Sequence, residues 1–417
     1  MLKTFLNAWR LPDLRKKLVY TLFMLIIFQL GTVIPVPGID AKALSEIMGI
    51  GGDSGSIFNL LNIISGGAME SASIFAMSIT PYINSSIIMQ LLAVAIPALE
   101  RISKEGEEGR KVLAKWTRYV TVILAFIQAS GLYVTLANAQ AMAEPGLLSY
   151  ITTTLTFTAG TAFIMWIGEQ ITEKGIGNGI SLIILAGIVS RGPQLIGSLI
   201  TTMQDNWIAG VVIAVVALLI VAVVVMLNDA ERRIPVQYAK RVVGRKMYGG
   251  QSTHIPFKVT MAGVIPIIFA SSILSFPATI AQMFYGGNVA WVNRFMGSPL
   301  YAVLYFLLIV FFTFFYTAMI YNPIEMSNNI KNNGGFIPGI RPGKPTSDFI
   351  ARVINKVTII GAVAIALIAV LPIVMSLGNM AVSLGGTSLF IVVSVAIETY
   401  RQIESQMLMR NYKGFLD

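Results

Sequence analysis

Long apolar runs dominate this chain and leave few folds open to it. Of its 417 residues, 55% are hydrophobic and only 12% are charged, whereas a soluble domain carries about 25% charged residues. A run of about twenty apolar residues is long enough to cross a bilayer as a helix. We predict ten such spans, near 18–36, 71–97, 116–137, 149–169, 179–203, 207–227, 261–283, 299–321, 351–374 and 384–402. The sequence therefore predicts an all-α polytopic membrane protein.

The basic residues between the predicted spans fall mostly on one side. With ten spans, that side holds the segments 1–17, 98–115, 228–260, 322–350 and 403–417. The opposite side holds only Lys42, Arg191 and Arg294. Because positive loops stay in the cytoplasm, we expect both termini to be cytoplasmic. The first apolar run is long enough to span and lacks a small-residue cleavage site, so we interpret it as a span and not as a cleavable signal peptide.

Ten spans divide into two sets of five, 18–203 and 204–402. With both termini on one side, the second set begins from the opposite face, so the halves have inverted topology. Inverted halves commonly enclose a pathway at their interface. No internal sequence repeat supports this division, which depends on the predicted topology alone.

A short apolar segment precedes the second predicted span. Residues 57–64 have helical spacing but cover only about 15 Å or less, half of a bilayer core. The segment ends at Gly66 and Gly67, which predict a helix end and a hinge. It is either an interfacial helix on the membrane surface or a half-helix folded back into a cavity between other helices.

The sequence lacks recognisable catalytic and metal-binding residue patterns. The chain has no cysteine and a single histidine, His254, and it shows no acid–base pair, catalytic triad or metal-ligand cluster. We therefore predict neither an enzyme nor a cofactor. No Asp, Glu, Lys or Arg lies in the centre of a predicted span, which argues against an ion-coupled transporter or pump. The glycines of 175–179 follow a span and not a strand, so a nucleotide site there is not supported.

Uncharged polar residues do occur in the predicted spans. They are Asn84, Ser85, Ser86 and Gln90 in the second, Gln128 in the third, and Ser271, Ser272 and Ser275 in the seventh. They either hold helices together or form a weakly held seam that opens. We expect Pro81, Pro266 and Pro277 to bend the second and seventh spans.

Two of the basic loops are long and patterned. The loop 228–260 alternates apolar residues and contains Gly249-Gly250, which predicts two extended arms with a turn. In the loop 322–350, the stretch FIPGIRPGKP predicts a stiff, non-helical projection that carries Arg341. Their charges either set the topology alone or bind a large acidic or nucleic-acid partner.

Several long motifs resemble the SecY family of bacterial protein-conducting channels, over about residues 12–410. These motifs are IPVPGID (34–40), SGGAMESASIFAMSITPYINSSIIMQLL (65–92), MWIGEQITEKGIGNGISLII (165–184), YAKRVVGR (238–245), QSTHIPFKV (251–259), MAGVIPIIFASSILSFPATIA (261–281), NPIEMSNNIKNNGGFIPGIRPG (322–343) and GGTSLFIVV (385–393). The resemblance implies an hourglass pore between two five-helix halves. It also favours the folded-back interpretation of the short helix.

The resemblance assigns four sets of residues. The pore ring is Ile79, Ile83, Ile184, Ile268 and Ile391. The plug near 57–65 and its hinge contain Ile57, Phe58, Leu60, Leu61, Ile64, Gly66 and Gly67. The lateral gate contains Asn84, Gln90, Gln128 and Phe276. The partner-docking residues are Lys240, Arg241, Arg245 and Arg341.

The resemblance also implies a function and partners. The function is a passive channel that moves secretory proteins across the bacterial cytoplasmic membrane and releases hydrophobic segments sideways into the lipid bilayer. The expected partners are SecE and SecG, the SecA motor ATPase, the ribosome, and signal peptides with their unfolded preproteins. A secondary transporter of the inverted-repeat kind is the alternative, and a membrane anchor for ribosomes or RNA is a third.

Overall fold

The computed structural model describes residue 9 and residues 11–40, 66–138, 140–142, 144–238, 241–243, 246–248, 252–285, 290–377 and 386–413. The helices of the first half are α1 (Pro12–Gly31), α2 (Thr80–Ala95), α3 (Pro97–Lys104), α4 (Glu107–Asn138), α5 (Leu147–Lys174), α6 (Gly179–Ser190) and α7 (Gly192–Asp205). Those of the second half are α8 (Trp207–Asp229), α9 (Ile265–Tyr285), α10 (Ala290–Met296), α11 (Pro299–Ile320), α12 (Pro323–Asn332), α13 (Lys344–Leu377) and α14 (Gly386–Lys413).

Several helices are long and apolar enough to cross a membrane. Within the described ranges there are six, or up to seven if the pair α2–α3, bent by 102°, forms one span. The prediction of a polytopic helical protein is therefore confirmed, while the count of ten spans goes beyond what these lengths establish.

The second predicted span is wrong at its start. Helix α2 begins at Thr80 and not near residue 71, and residues 66–79 form a series of turns. Ala72 and Ser78 have φ of 45° and 53°, in the left-handed region that a right-handed helix cannot contain. Pro81 is in the first turn of α2, where proline fits a helix without bending it. The expectation of a bend at Pro81 is therefore wrong.

The expected bend at Pro266 also needs correction. Pro266 is in the first turn of α9, so only Pro277 lies inside that helix. The fifth predicted span, 179–203, has a break at Arg191 between α6 and α7, but Gly179–Gln204 as a whole is long and apolar enough to cross a membrane.

A layer of turns and extended segments closes one end of the first half. We call residues 32–40, 66–79 and 140–142 the turn layer. The amide of Val36 donates to the Ala72 carbonyl at 2.9 Å, and the amide of Asp40 donates to the Ala141 carbonyl at 2.9 Å. A Cβ added at Gly160 of α5 would lie 2.0 Å from the Ile74 carbonyl oxygen, so only glycine allows this approach. The layer is thus fixed by its own backbone and by α5.

A second non-helical unit lies in the other half. The strands are β1 (Glu231–Tyr238), β2 (Arg241–Val243), β3 (Lys246–Tyr248), β4 (Ser252–Lys258) and β5 (Gly335–Phe336). Strands β4, β1 and β5 form an antiparallel sheet in that order, and β2 pairs with β3. The extended arms predicted for 228–260 are confirmed, while the turn predicted at Gly249-Gly250 lies outside the described residues.

The sheet joins the two long basic loops into one body. Strand β5 belongs to the loop 322–350, and it pairs with β1 of the loop 228–260 through Gln237–Phe336 and Tyr238–Gly335. A small core fills the space between the sheet, α12 and the start of α13, and it contains Ile234, Val236, Phe257, Ile330, Ile337, Ile350 and Ile354. We call these three strands, α12, the connection to α13 and the first three turns of α13 the sheet unit.

The largest hydrophobic cluster draws on both halves of the chain. It includes five fully buried residues: Phe28 of α1, Ile167 of α5, Ile309 of α11, Ile365 of α13 and Phe390 of α14. Residues that are far apart in sequence thus share one interior, which is where the predicted ring residues are found.

Candidate functional site

The five isoleucines of the predicted pore ring belong to this one cluster. Ile79, Ile83, Ile184 and Ile391 are between 0% and 7% exposed, and Ile268 is half-buried and packs against the cluster. They come from α2 and the residue before it, α6, α9 and α14. The structure therefore places these five saturated side chains, which offer no ligand to an ion or to water, in or against one large cluster that draws on both halves.

The spacing of Ile79 and Ile83 is unaffected by the start of α2 at Thr80. Ile79 is the residue that precedes the helix, and its carbonyl accepts a hydrogen bond from the amide of Ile83 at 3.1 Å. The two side chains are therefore still one helical turn apart, at the point where the turn layer becomes α2.

Helix α9 is in contact with helices of both halves, but its two sides differ. On one side it contacts α11, where Phe269 packs edge-on against Phe312 and Tyr316 at centroid distances of 5.8 and 5.7 Å. On the other side it contacts α2 and α4 of the first half. Helix α9 therefore contacts α11, which follows it in the chain, through aromatic pairs, and it also contacts α2 and α4 of the first half.

The predicted gate residues lie on these helices. Asn84 of α2 is buried, Gln90 and Gln128 are half-buried, and Phe276 of α9 is 37% exposed. The amide nitrogen of Gln90 donates to the Ser86 hydroxyl at 3.0 Å, within its own helix.

The serines of α2 and α9 that could form a weakly held seam make hydrogen bonds to other groups. Ser85 donates to the Thr117 carbonyl of α4 at 2.8 Å, so it holds α2 and α4 together. The hydroxyls of Ser271 and Ser275 donate to carbonyls of α9 itself. The bond of Ser85 therefore joins α2 to α4, and that of Ser271 stays within α9.

The predicted plug lies outside the described residues, together with Ile57, Phe58, Leu60, Leu61 and Ile64. Its hinge is described: Gly66 and Gly67 have φ of 70° and 88°, where glycine is favoured. A Cβ at Gly66 would lie 3.0 Å from Cα of Gly187 in α6. The chain after residue 66 is thus held closely against α6.

An ion pair that the sequence did not reveal also holds this segment. Arg191 Nη2 donates to Glu70 Oε2 at 2.7 Å, and the Arg191 side chain is only 15% exposed. Arg191 Nε also donates to Gln194 at 2.9 Å. Sequence spacing could not predict the pair because its members are 121 positions apart.

The predicted docking residues are partly described. Lys240 and Arg245 lie outside the described ranges, and Arg241 begins β2. Arg341 is exposed on the connection between β5 and α13. It lies between Gly339 and Gly343, which have φ of 80° and 99°, so this stretch is non-helical as predicted.

The base of the β1–β4 pair is fixed to α14 by a buried polar network. The Asn228 side chain donates to the Ser394 hydroxyl at 3.0 Å and accepts from Thr260 at 3.2 Å. Arg401 donates to the Asn228 carbonyl at 2.9 Å. Burial lowers the pKa of Lys258 at the end of β4, and the charge of Arg401 acts in the same direction.

The glycines of 175–179 have a packing role. The amide of Ile176 donates to Thr21 of α1 at 3.1 Å, and the amide of Gly179 donates to Thr172 of α5 at 2.9 Å. A Cβ at Gly179 would lie 2.0 Å from the Gly168 carbonyl oxygen. This turn lets α1, α5 and α6 approach one another.

Comparisons with known proteins agree with this architecture. The SecY family model matches residues 73–400. The protein translocase subunits SecY of Streptomyces galbus and of Bacillus subtilis strain 168 are each 45% identical to the chain, and each alignment covers 100% of both sequences. A solved protein-conducting channel superposes with a TM-score of 0.70 at 20% identity, covering 94% of this chain and 92% of the other.

A second structure, from the canine ribosome-channel complex of the endoplasmic reticulum, has a TM-score of 0.66 at 18% identity, with coverages of 94% and 92%. At these identities the two structures show a shared fold. The family model and the full-length bacterial relatives together establish that this chain belongs to the SecY family of protein translocase subunits.

Proposed function

We propose that this chain is the passive channel through which unfolded secretory proteins cross the bacterial cytoplasmic membrane. It has no catalytic site of its own, and the energy comes from a bound partner. The observation that supports the proposal is that the five isoleucines predicted to form the pore ring lie in or against one buried cluster that draws on both halves. Hydrophobic constrictions of this kind close a pathway to water and ions. The same side chains can yield sideways to a passing polypeptide.

The channel has ten spans in this proposal, arranged as the halves 18–203 and 204–402 with inverted topology and both termini in the cytoplasm. The basic loops support this orientation through the positive-inside rule. The segment 57–65 acts as the plug on one side of the ring. The turn layer that follows it supports this role, since it holds the chain after residue 66 against α5 and α6.

The lateral gate is the boundary of α9 with α2 and α4. Its opening lets a segment in transit exchange the pore for lipid. Leu, Ile, Phe and Val each gain about 0.3–0.6 kcal/mol near the bilayer centre, so a run of about twenty favours the lipid. Polar segments continue across the membrane. The different contacts on the two sides of α9 support opening there.

The partners act at two places. The small membrane subunits SecE and SecG accompany the channel in the bilayer. The SecA motor or a ribosome docks on the sheet unit, where Arg341 is exposed, and on the basic segment that contains Lys240, Arg241 and Arg245. These cationic projections suit an acidic or nucleic-acid surface.

Ion conductance of the purified channel complex in planar bilayers tests the ring. We expect the double variant Ile184→Gly with Ile391→Gly to conduct ions at rest, because the apolar constriction is lost. The matched control is Ile360→Gly in α13, a helical isoleucine that is 62% exposed. Equal resting conductance in the double variant and the control would contradict the proposed pore.

A further inference from the structure

The loop that carries Arg341 is exposed but has buried ends. Residues 338 and 339 and residues 341 and 342 are exposed, whereas Ile337 before them is 3% exposed and Thr346 after them is 2% exposed. Ile337 belongs to the core of the sheet unit. The loop therefore leaves a rigid body and returns to it within a short distance along the chain.

The backbone of Arg341 itself is held by the helix that follows. The Thr346 hydroxyl donates to the Arg341 carbonyl oxygen at 2.8 Å. Thr346 lies in the first turn of α13, a helix that packs against α11 and α12. Because the donor is buried on a rigid helix, the bond restrains the direction of the Arg341 peptide group.

A second hydroxyl holds the loop from the other side. The Gly343 carbonyl oxygen accepts from the Ser327 hydroxyl of α12 at 2.8 Å and from the amide of Ser347 at 3.1 Å. Ser327 is 2% exposed. The two carbonyls on either side of Pro342 are thus bound to two different helices.

Among the described residues, nothing restrains the Arg341 side chain in this way, and none of the ion pairs there includes it. Within that part of the chain the structure combines a fixed backbone with an exposed, unpaired guanidinium, which is an arrangement suited to binding an external anion. Fixing the backbone beforehand lowers the entropy lost when a partner binds.

We infer that Thr346 and Ser327 are positioning residues for Arg341, which hold its loop in the conformation that docks the motor. This inference rests on the docking role proposed above. Neither hydroxyl touches the partner: each acts through the loop backbone. Loss of one such hydrogen bond weakens the docked state by about fivefold, the change that corresponds to ~1 kcal/mol.

The test measures transport of a secretory precursor into vesicles that contain the channel complex, as a function of SecA concentration. For Thr346→Val, we expect the half-saturating SecA concentration to rise about fivefold with little change in the maximal rate. Thr346→Ser keeps the donor and should restore the parent value. Ser327→Ala should act in the same direction with a smaller effect. It replaces Thr346→Val in the test if that variant does not accumulate.

The matched control is Thr358→Val in the same helix. Thr358 is 2% exposed, and its hydroxyl has no hydrogen-bond partner among the described residues, so this change should leave SecA dependence unaltered. A second readout needs no motor. The chain has no cysteine, so a spin label on Arg341→Cys reports this position alone. We expect the label to become more mobile with Thr346→Val and to stay unchanged with Thr358→Val.

The outcomes separate the inference from the docking proposal. If Arg341→Glu transports normally, the docking role is wrong, and the spin label still decides whether the hydroxyls hold the loop. If Arg341→Glu abolishes transport while Thr346→Val and Ser327→Ala match the parent in SecA dependence and label mobility, the inference is overturned.

Discussion

The turn layer and the sheet unit are the two non-helical parts of this molecule, and they are built in opposite ways. Following the chain through α5, α6–α7 and α8 leads from the turn layer at one end of the helices to the sheet unit at the other. The 66–79 segment of the turn layer is mostly packed inside, with Ala68, Ala72 and Ile79 at no more than 1% exposed, whereas much of its 32–40 segment is exposed. The sheet unit buries one face and exposes the other, along with the Arg341 loop.

This difference between the turn layer and the sheet unit reflects how the non-helical backbone of each is satisfied. Near a bilayer, unpaired peptide groups are costly, so the turn layer binds its own backbone and packs against helices. At the polar end water can satisfy the backbone, so the sheet unit can expose loops for binding. We therefore expect changes in the turn layer to affect stability and sealing, and changes on the sheet unit to affect partner-driven transport.

The largest expected effect is that of Arg341→Glu. Reversing this exposed charge should abolish SecA-driven transport of a secretory precursor while the complex still assembles in the membrane. Arg352→Glu, another exposed arginine of the sheet unit, is the control and should retain most activity. Normal transport by Arg341→Glu would remove the docking role from the sheet unit.

Two glycines allow a direct comparison of the two regions. Gly160→Ala places a Cβ 2.0 Å from a backbone oxygen of the turn layer, and we expect overpacking to cost about 1–3 kcal/mol of stability. Thermal unfolding of the purified complex in detergent measures this cost. Gly339→Ala meets no atom within 4 Å but has a φ of +80°. The strain of alanine at this φ should lower transport, with a smaller fall in unfolding temperature than Gly160→Ala because the loop is exposed and no atom is displaced. The reverse pattern would contradict the comparison.

The Glu70–Arg191 ion pair tests the turn layer as the support of the proposed plug. Glu70→Arg places two cations together, so we expect a several-fold higher resting ion leak, with SecA binding unchanged. The exchanged pair, Glu70→Arg with Arg191→Glu, should restore the seal. A leak that is the same in the single variant, the exchanged pair and the parent would mean that this ion pair has no role in closing the channel.

The smallest expected effect is in the core of the sheet unit. Ile350 is 0% exposed, and Ile350→Val should lower the free energy of unfolding by about 1 kcal/mol, because a buried methyl group is lost. Ile359→Val on the same helix is 51% exposed and should have no measurable effect. Equal unfolding temperatures for the two variants would indicate that the sheet unit unfolds separately from the helices.

Local pattern predicted parts of the sheet unit, whereas the ring, plug, gate and docking residues are implied only by the family resemblance. The arms of β1 and β4 follow from apolar alternation, and the non-helical stretch around Arg341 follows from its glycines and prolines. The helix predicted from residue 71 failed because the apolar run continues through the turn layer. Apolar composition there reflects burial, and the positive φ of Ala72 and Ser78 leaves no trace in the sequence.

The sequence by itself determined that the chain is a membrane protein of many helices without catalytic chemistry, and it predicts that the basic loops lie on one side. These properties depend on composition and on neighbours along the chain. Only the tertiary structure decided where α2 begins, that Glu70 pairs with Arg191, and that Thr346 and Ser327 hold the Arg341 loop. Each of these depends on packing or hydrogen bonds set by the folded backbone, and the periodicity of a sequence does not contain that geometry.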